Sequence, residues 1–140
     1  MPLVLDSLRN AVKALSDLRA VAENVPRMEQ FNEVEQKGIR AGVIQNFEVT
    51  YELCWKLMDR WLSMNLGASV VDGVTRRELF RLAAQHRLIA DVEVWWQYHQ
   101  ARNTTSHIYD ERKAESVYSA IADFVHDARA LLRALEARND

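Results

Sequence analysis

A chain of 140 residues, 49% hydrophobic and 27% charged, has room for one domain with one core and needs no staple to hold it. That balance excludes a disordered tail, and a formal net charge of −2 gives no global attraction to nucleic acid. No apolar run reaches the roughly 18–20 residues of a membrane span, and Met1-Pro2-Leu3-Val4-Leu5-Asp6 has no basic stretch leading into an apolar one, so neither insertion nor export is expected.

Leu5, Leu8, Val12, Leu15 and Leu18 recur at three- and four-residue steps. This is the period of an amphipathic helix, which Pro26 is expected to end. From Glu33, the residues Ile39, Val43, Phe47, Tyr51, Cys54, Met58 and Trp61 keep the same period up to Asn65-Leu66-Gly67. Glycine there can take the left-handed conformation that closes helices, which gives a second helix of about 30 residues. Gly38 and Gly42 each weaken it by about 1 kcal/mol relative to Ala; they either fray its start or let another element come close. Cys54 is the sole cysteine. It permits no intramolecular disulfide, reads as a small core residue and suits a reducing cytoplasm.

After a loop through Asp72-Gly73, Thr75-Arg76-Arg77-Glu78 forms a capping box, in which the hydroxyl and the carboxylate satisfy free amides reciprocally. The short third helix from Arg76 turns Leu79, Phe80 and Ala83 inward and its arginines elsewhere, and fades near Arg87. Arg76, Arg77, Arg81 and Arg87 face a single acid, Glu78, over this stretch. The basic patch is either a solvated helix face or a local contact for RNA. Asp91 caps a fourth helix, on which Trp95, Tyr98 and Arg102 share a side, with Trp96 and His99 beside them. These aromatics suit core burial and a partner interface equally.

The last helix begins near Glu111. Its stripe of Ala114, Val117, Ile121, Phe124, Ala128, Leu131 and Leu135 reads as a bundle or partner seam. No segment alternates apolar and polar with period two. The expected fold is all-α: an antiparallel up-and-down four-helix bundle with one additional short helix, a single domain over residues 1–140.

Arg102-Asn103-Thr104-Thr105-Ser106-His107-Ile108-Tyr109 gathers a guanidinium, an amide, three hydroxyls, an imidazole and a phenol near a helix end. One reading is structural, since cations suit the negative end of a helix and hydroxyls cap the next element. The other is chemical. RNA can be cut without a metal if one group accepts the 2′-hydroxyl proton, one near neutral pKa protonates the leaving oxygen, and a cation holds the phosphorane charge. His107 and Arg102 suit the last two roles. Five residues of continuous helix rotate by about 140°, so the two converge only if the helix ends or bends near Asn103; Asn103, Thr104, Thr105 and Ser106 favour such an end.

Other chemistries lack their residues. The sequence has no Gly-rich phosphate loop, zinc-spaced Cys/His set or Gly-x-Ser-x-Gly elbow. Glu48 and Glu52 share a helix face, but no Glu-x-x-His pair completes a di-iron pattern. Asp-x-Asp is absent too, so the chain is not itself a nucleotidyl transfer enzyme. No metal or cofactor is expected.

Gly42-Val43-Ile44-Gln45-Asn46-Phe47-Glu48-Val49-Thr50-Tyr51-Glu52-Leu53-Cys54-Trp55-Lys56, with the later Arg102-Asn103-x-Thr105-Ser106-His107-x-Tyr109-Asp110-Glu111, resembles the nucleotidyltransferase substrate-binding protein family of the HEPN superfamily. The likeness runs from the first helix to the last, and departs at Asn46, where the family often has Arg. It implies a homodimeric helical bundle working beside a separately encoded minimal nucleotidyltransferase, the MNT protein. Some relatives, the HepT-type toxins, are metal-independent RNases of toxin–antitoxin pairs. By that resemblance Arg102 and His107 match the catalytic pair and Tyr109 the tyrosine that the partner modifies with AMP. Asn103, Thr105 and Ser106, with Arg76, Arg77 and Arg81 of the basic patch, are then candidate contacts to RNA or a nucleotide. Other relatives are substrate-binding subunits without known cleavage.

Overall fold

Short polar side chains decide where five of the helices among the described residues begin. The computed structural model describes residues 2–105 and 110–139. Its helices are α1 (Asp6–Glu23), α2 (Val25–Met28), α3 (Glu33–Leu66), α4 (Ala68–Val71), α5 (Arg76–Gln85), α6 (Val92–Thr104) and α7 (Glu111–Ala137), with no strand among the described residues. Helices α1, α3, α6 and α7 are the long members of an all-α bundle, α5 is the additional short helix, and α2 and α4 are single turns that periodicity does not reveal. Helix α1 packs on α3 and α7, α3 also on α6 and α7, and α6 on α7.

The caps explain the boundaries. Asn32 opens α3 with a reciprocal capping box to Glu35, and Gly67 closes it at φ 98°. Asp91 accepts from the amides of Glu93 and Val94 to open α6, and Asp110 accepts from those of Arg112 and Lys113 to open α7; each such cap contributes about 1 kcal/mol. Two expectations need adjustment. Pro26 does not end α1, which stops at Glu23; it sits instead in the first turn of α2, where its missing N–H costs nothing. At Thr75 the hydroxyl accepts from the Glu78 amide at 3.1 Å, but the Glu78 carboxylate turns to Arg81 at 3.2 Å, so only half the box forms.

Inside, the periodic positions meet as their spacing requires. Leu8, Val12 and Leu15 of α1 are buried against Val43, Phe47, Cys54 and Met58 of α3, and Val117, Ile121, Phe124, Ala128, Leu131 and Leu135 of α7 join the same core. The centre is aromatic: Phe124 stands edge-on to Phe47, Tyr98 and Trp95 at centroid distances of 4.8, 5.1 and 5.9 Å. Trp95 and Tyr98 are therefore core residues rather than interface anchors. Gly42 marks a close approach, because a Cβ there would meet Leu18 Cδ2 at 3.0 Å, whereas nothing stands near Gly38.

No helix among the described residues is long and apolar enough to cross a membrane. Even the long α3 has charged residues along its whole length.

Candidate functional site

Helices α3 and α6 each carry a second, polar face beside their buried one. Arg102 stands on the last turn of α6, and Glu48 and Glu52 stand one turn apart on α3. Arg102 Nη1 lies 3.7 Å from Glu48, and its Nε lies 3.4 Å from Glu52 without hydrogen-bond alignment. All three side chains are about two-thirds covered, so the guanidinium is oriented by charge on one side and open on the other. Glu52 is itself held, accepting from Trp55 Nε1 at 2.9 Å.

A second guanidinium reaches the same face from α5. Arg76 lies over the Trp55 ring at 3.5 Å and donates to Tyr51 Oη at 3.3 Å. It forms no ion pair among the described residues. Its neighbours differ: Arg77 binds both oxygens of Glu93 at 2.8 Å and covers Trp96, and Arg81 pairs with Glu78 on the exposed surface. The patch that looks uniform in sequence thus splits into one inward cation, Arg76, and three outward ones, exposed Arg87 included. The expectation that all its arginines face away from the core side fails at Arg76, because the first turn of α5 leans on Trp55.

Tyr51 joins the Arg76 guanidinium to an imidazole. Its Oη is 2.8 Å from His99 Nδ1, and His99 Nε2 is 3.3 Å from the Asn103 amide nitrogen. Burial pushes the Tyr51 phenol up to about 12, with Arg76 opposing the shift. Burial, then the charge of Arg76, holds the His99 imidazole below its usual value, with Glu52 opposing and Arg102 adding to the effect. Both groups are therefore neutral at pH 7. Cys54 is fully buried and its thiol is pushed up by desolvation, which makes it inert.

Of the residues singled out from sequence, Arg102, Asn103 and Arg76 come together here. Arg77 and Arg81 stay outside the cluster. Helix α6 ends at Thr104, two residues after Arg102. Thr105 is buried and its hydroxyl donates to the Arg102 carbonyl at 2.7 Å, so it shapes the helix end and presents no proton to a substrate. Ser106, His107 and Tyr109 lie outside the described residues. Sequence reasoning missed Tyr51 and His99 as members of the site and noted Glu48 and Glu52 only as a metal alternative. A signal existed for His99, which precedes Arg102 by one helical turn. None existed for Tyr51, which reads as one more apolar position of α3.

The fold and the site define an all-α bundle with a polar cluster on one face, in which two guanidinium groups stand among two carboxylates, a phenol and an imidazole. The chain belongs to the nucleotidyltransferase substrate binding protein like family, which it matches over residues 5–137. It is 37% identical over 107 residues, 76% of this chain and 73% of the relative, to a protein of Haemophilus influenzae described as a probable ribonuclease HepT. A solved structure from the same species, described as the fold of a substrate binding domain of a nucleotidyltransferase, superposes with a TM-score of 0.91 at 31% identity, covering 95% of this chain and 99% of the other. A crystal structure from Thermus thermophilus superposes with a TM-score of 0.68 at 27% identity, over 89% of this chain and 98% of that one.

Proposed function

We propose that this chain is the HEPN subunit of a two-component nucleotidyltransferase system: a single helical bundle domain over residues 1–140 that acts as a cytoplasmic homodimer and as a HepT-like, metal-independent RNase toxin. The observation that carries the reading is Arg102, about two-thirds covered at the end of α6 and oriented by Glu48 and Glu52 with one side open. The likeness to a probable ribonuclease HepT supports it. In the reaction the 2′-oxygen of RNA bonds to phosphorus while a base takes its proton. The bond from phosphorus to the 5′-oxygen breaks, His107 protonates that oxygen, and Arg102 holds the charge of the phosphorane. The products are a 2′,3′-cyclic phosphate and a 5′-hydroxyl.

Neutralisation follows from Tyr109. An MNT partner transfers AMP from ATP, so that the phenol oxygen bonds to the α-phosphorus, pyrophosphate leaves and the phenol proton is lost. Asn103, Ser106 and Arg76 supply further substrate contacts; Arg77 and Arg81 supply weaker ones from the rim.

One observation favours a second reading. Glu48 and Glu52 offset part of the charge of Arg102, which weakens its hold on the developing charge of a phosphorane and suits a subunit that presents a substrate to the MNT protein without cleavage, as the description of the Haemophilus influenzae structure suggests for that protein. The test is incubation of the purified chain, beside His107→Ala, with total tRNA in EDTA. The RNase reading expects fragments ending in 2′,3′-cyclic phosphate from the native chain alone. No fragments from a folded native protein would overturn it in favour of the binding subunit.

A further inference from the structure

The hydrogen-bonded row from Arg76 through Tyr51 to His99 has one chemically consistent direction. A guanidinium only donates, so Tyr51 Oη accepts from Arg76 at 3.3 Å. The Tyr51 proton then needs an acceptor of its own, because the side chain is fully buried and an unmatched buried hydroxyl is costly. Among the described residues that acceptor is His99 Nδ1 at 2.8 Å. With Nδ1 accepting, a neutral imidazole carries its proton on Nε2. Nε2 faces Asn103, whose exposed amide can turn its oxygen or its nitrogen toward it. Arg102 stands one helical turn along on the same side of α6.

We infer that His99, locked as its Nε2–H tautomer by Tyr51 and Arg76, is a binding residue that donates to a substrate phosphate oxygen beside Arg102. Tyr51 and Arg76 are positioning residues that act through it. The ligand class is a phosphate ester, either the phosphodiester of an RNA strand or the phosphate of a mononucleotide. This rests on the phosphate-handling reading of Arg102 but not on cleavage. The ring is well placed to donate in this way. Trp96 lies beside it at a centroid distance of 5.0 Å, and burial, then the nearby guanidinium groups, keep it neutral, so that the donor does not depend on an added proton. The absence of a carboxylate on Arg76 among the described residues fits as well. An acid there would draw the guanidinium off Tyr51 and release the direction of the row.

The experiment has two readouts on the full-length dimer or monomer as purified. Long-range proton–nitrogen spectra of the imidazoles, with His99 assigned by its loss in His99→Gln, report the tautomer. The expected signature is a protonated Nε2 and a bare Nδ1, which loses its uniformity in Tyr51→Phe. Affinity is then measured with a 2′-O-methyl oligoribonucleotide, which cannot be cleaved, and separately with AMP. His99→Ala is expected to weaken binding roughly tenfold. His99→Gln, whose amide nitrogen can stand where Nε2 stood, should stay within about threefold of native, and Tyr51→Phe should fall between them. Thermal melts confirm that each variant is folded.

If the oligonucleotide alone responds, the ligand is RNA; if AMP alone responds, it is a mononucleotide. Either supports the assignment. A native Nδ1–H tautomer, native-like affinity in His99→Ala, failure of His99→Gln to rescue, or a native chain that binds neither probe each overturns it. The RNase reading fails separately: tautomer and affinity results as expected without any tRNA fragments would remove cleavage and leave His99 in place.

Discussion

Helices α3 and α6 face two ways, and the two faces are built on different principles. Toward α7, Phe47, Trp95, Tyr98 and Phe124 pack so that each ring touches at least one other edge-on. Toward α5 and the end of α6, Tyr51, His99, Arg76, Trp55, Glu52 and Arg102 are joined mostly by single directed contacts. The first face holds stability through redundant dispersion and burial. The second stores orientation, because each polar group has few partners and changing one redirects the next. Tyr51 belongs to both, with its ring in the core and its hydroxyl in the row.

The sharpest way to break this contrast is Phe124→Ala. It removes a fully buried ring from three edge-on neighbours and should destabilise by about 3–5 kcal/mol in urea unfolding. A loss under about 1 kcal/mol would mean the aromatic centre is not where stability resides. Tyr51→Phe should cost only about 1 kcal/mol, because the ring stays packed and one hydroxyl is lost. A cost close to that of Phe124→Ala would show the polar row to be structural.

Two glycines test packing on α3 from the outside. Gly38→Ala, with open space around its new methyl, should stabilise by up to about 1 kcal/mol. Gly42→Ala should gain less or lose, since Leu18 Cδ2 must give way. Equal gains, read by thermal denaturation, would deny the close approach of α1 to α3.

Acid should act on the polar face through His99. The folded His99 imidazole is harder to protonate than its ordinary value of 6.5, so the unfolded chain takes up more protons below that pH. The stability His99 contributes is complete above about 6.5 and falls away as pH drops through the lowered folded value. Burial presses in that direction first and Arg76 and Arg102 add to it, Tyr51 stays neutral, and Glu52 opposes them. Between pH 7.5 and 5 the native chain should therefore lose more stability than His99→Gln; parallel curves would show that the imidazole is not buried as described. The smallest effect belongs to Glu48→Gln. Partly exposed and 3.7 Å from Arg102, it should change stability by no more than about 0.5 kcal/mol in the same melts.

Most of the fold is legible in the sequence and little of the cluster is. Thr75, Asp91 and Gly67 mark their boundaries because capping uses groups within four residues of one another. The stripe of α7 and that of α3 point to the core because a helix repeats its faces at a fixed period. Arg102 and Asn103 stand out for the same local reason, as polar residues crowding a helix end.

What only the tertiary structure decided is which polar residues meet. Tyr51 and His99 are 48 positions apart, and Arg76 is 25 from Tyr51. Their contact depends on how α3, α5 and α6 are rotated about their axes, which the buried faces determine and no local rule expresses. Sequence alone therefore determined the five longer helices and which stripe of each is apolar, since both follow from the geometry of one turn. Packing decided that Arg76 turns inward while Arg77 and Arg81 stay out, and that Tyr51 meets His99, since those outcomes require the helices to be placed against one another first.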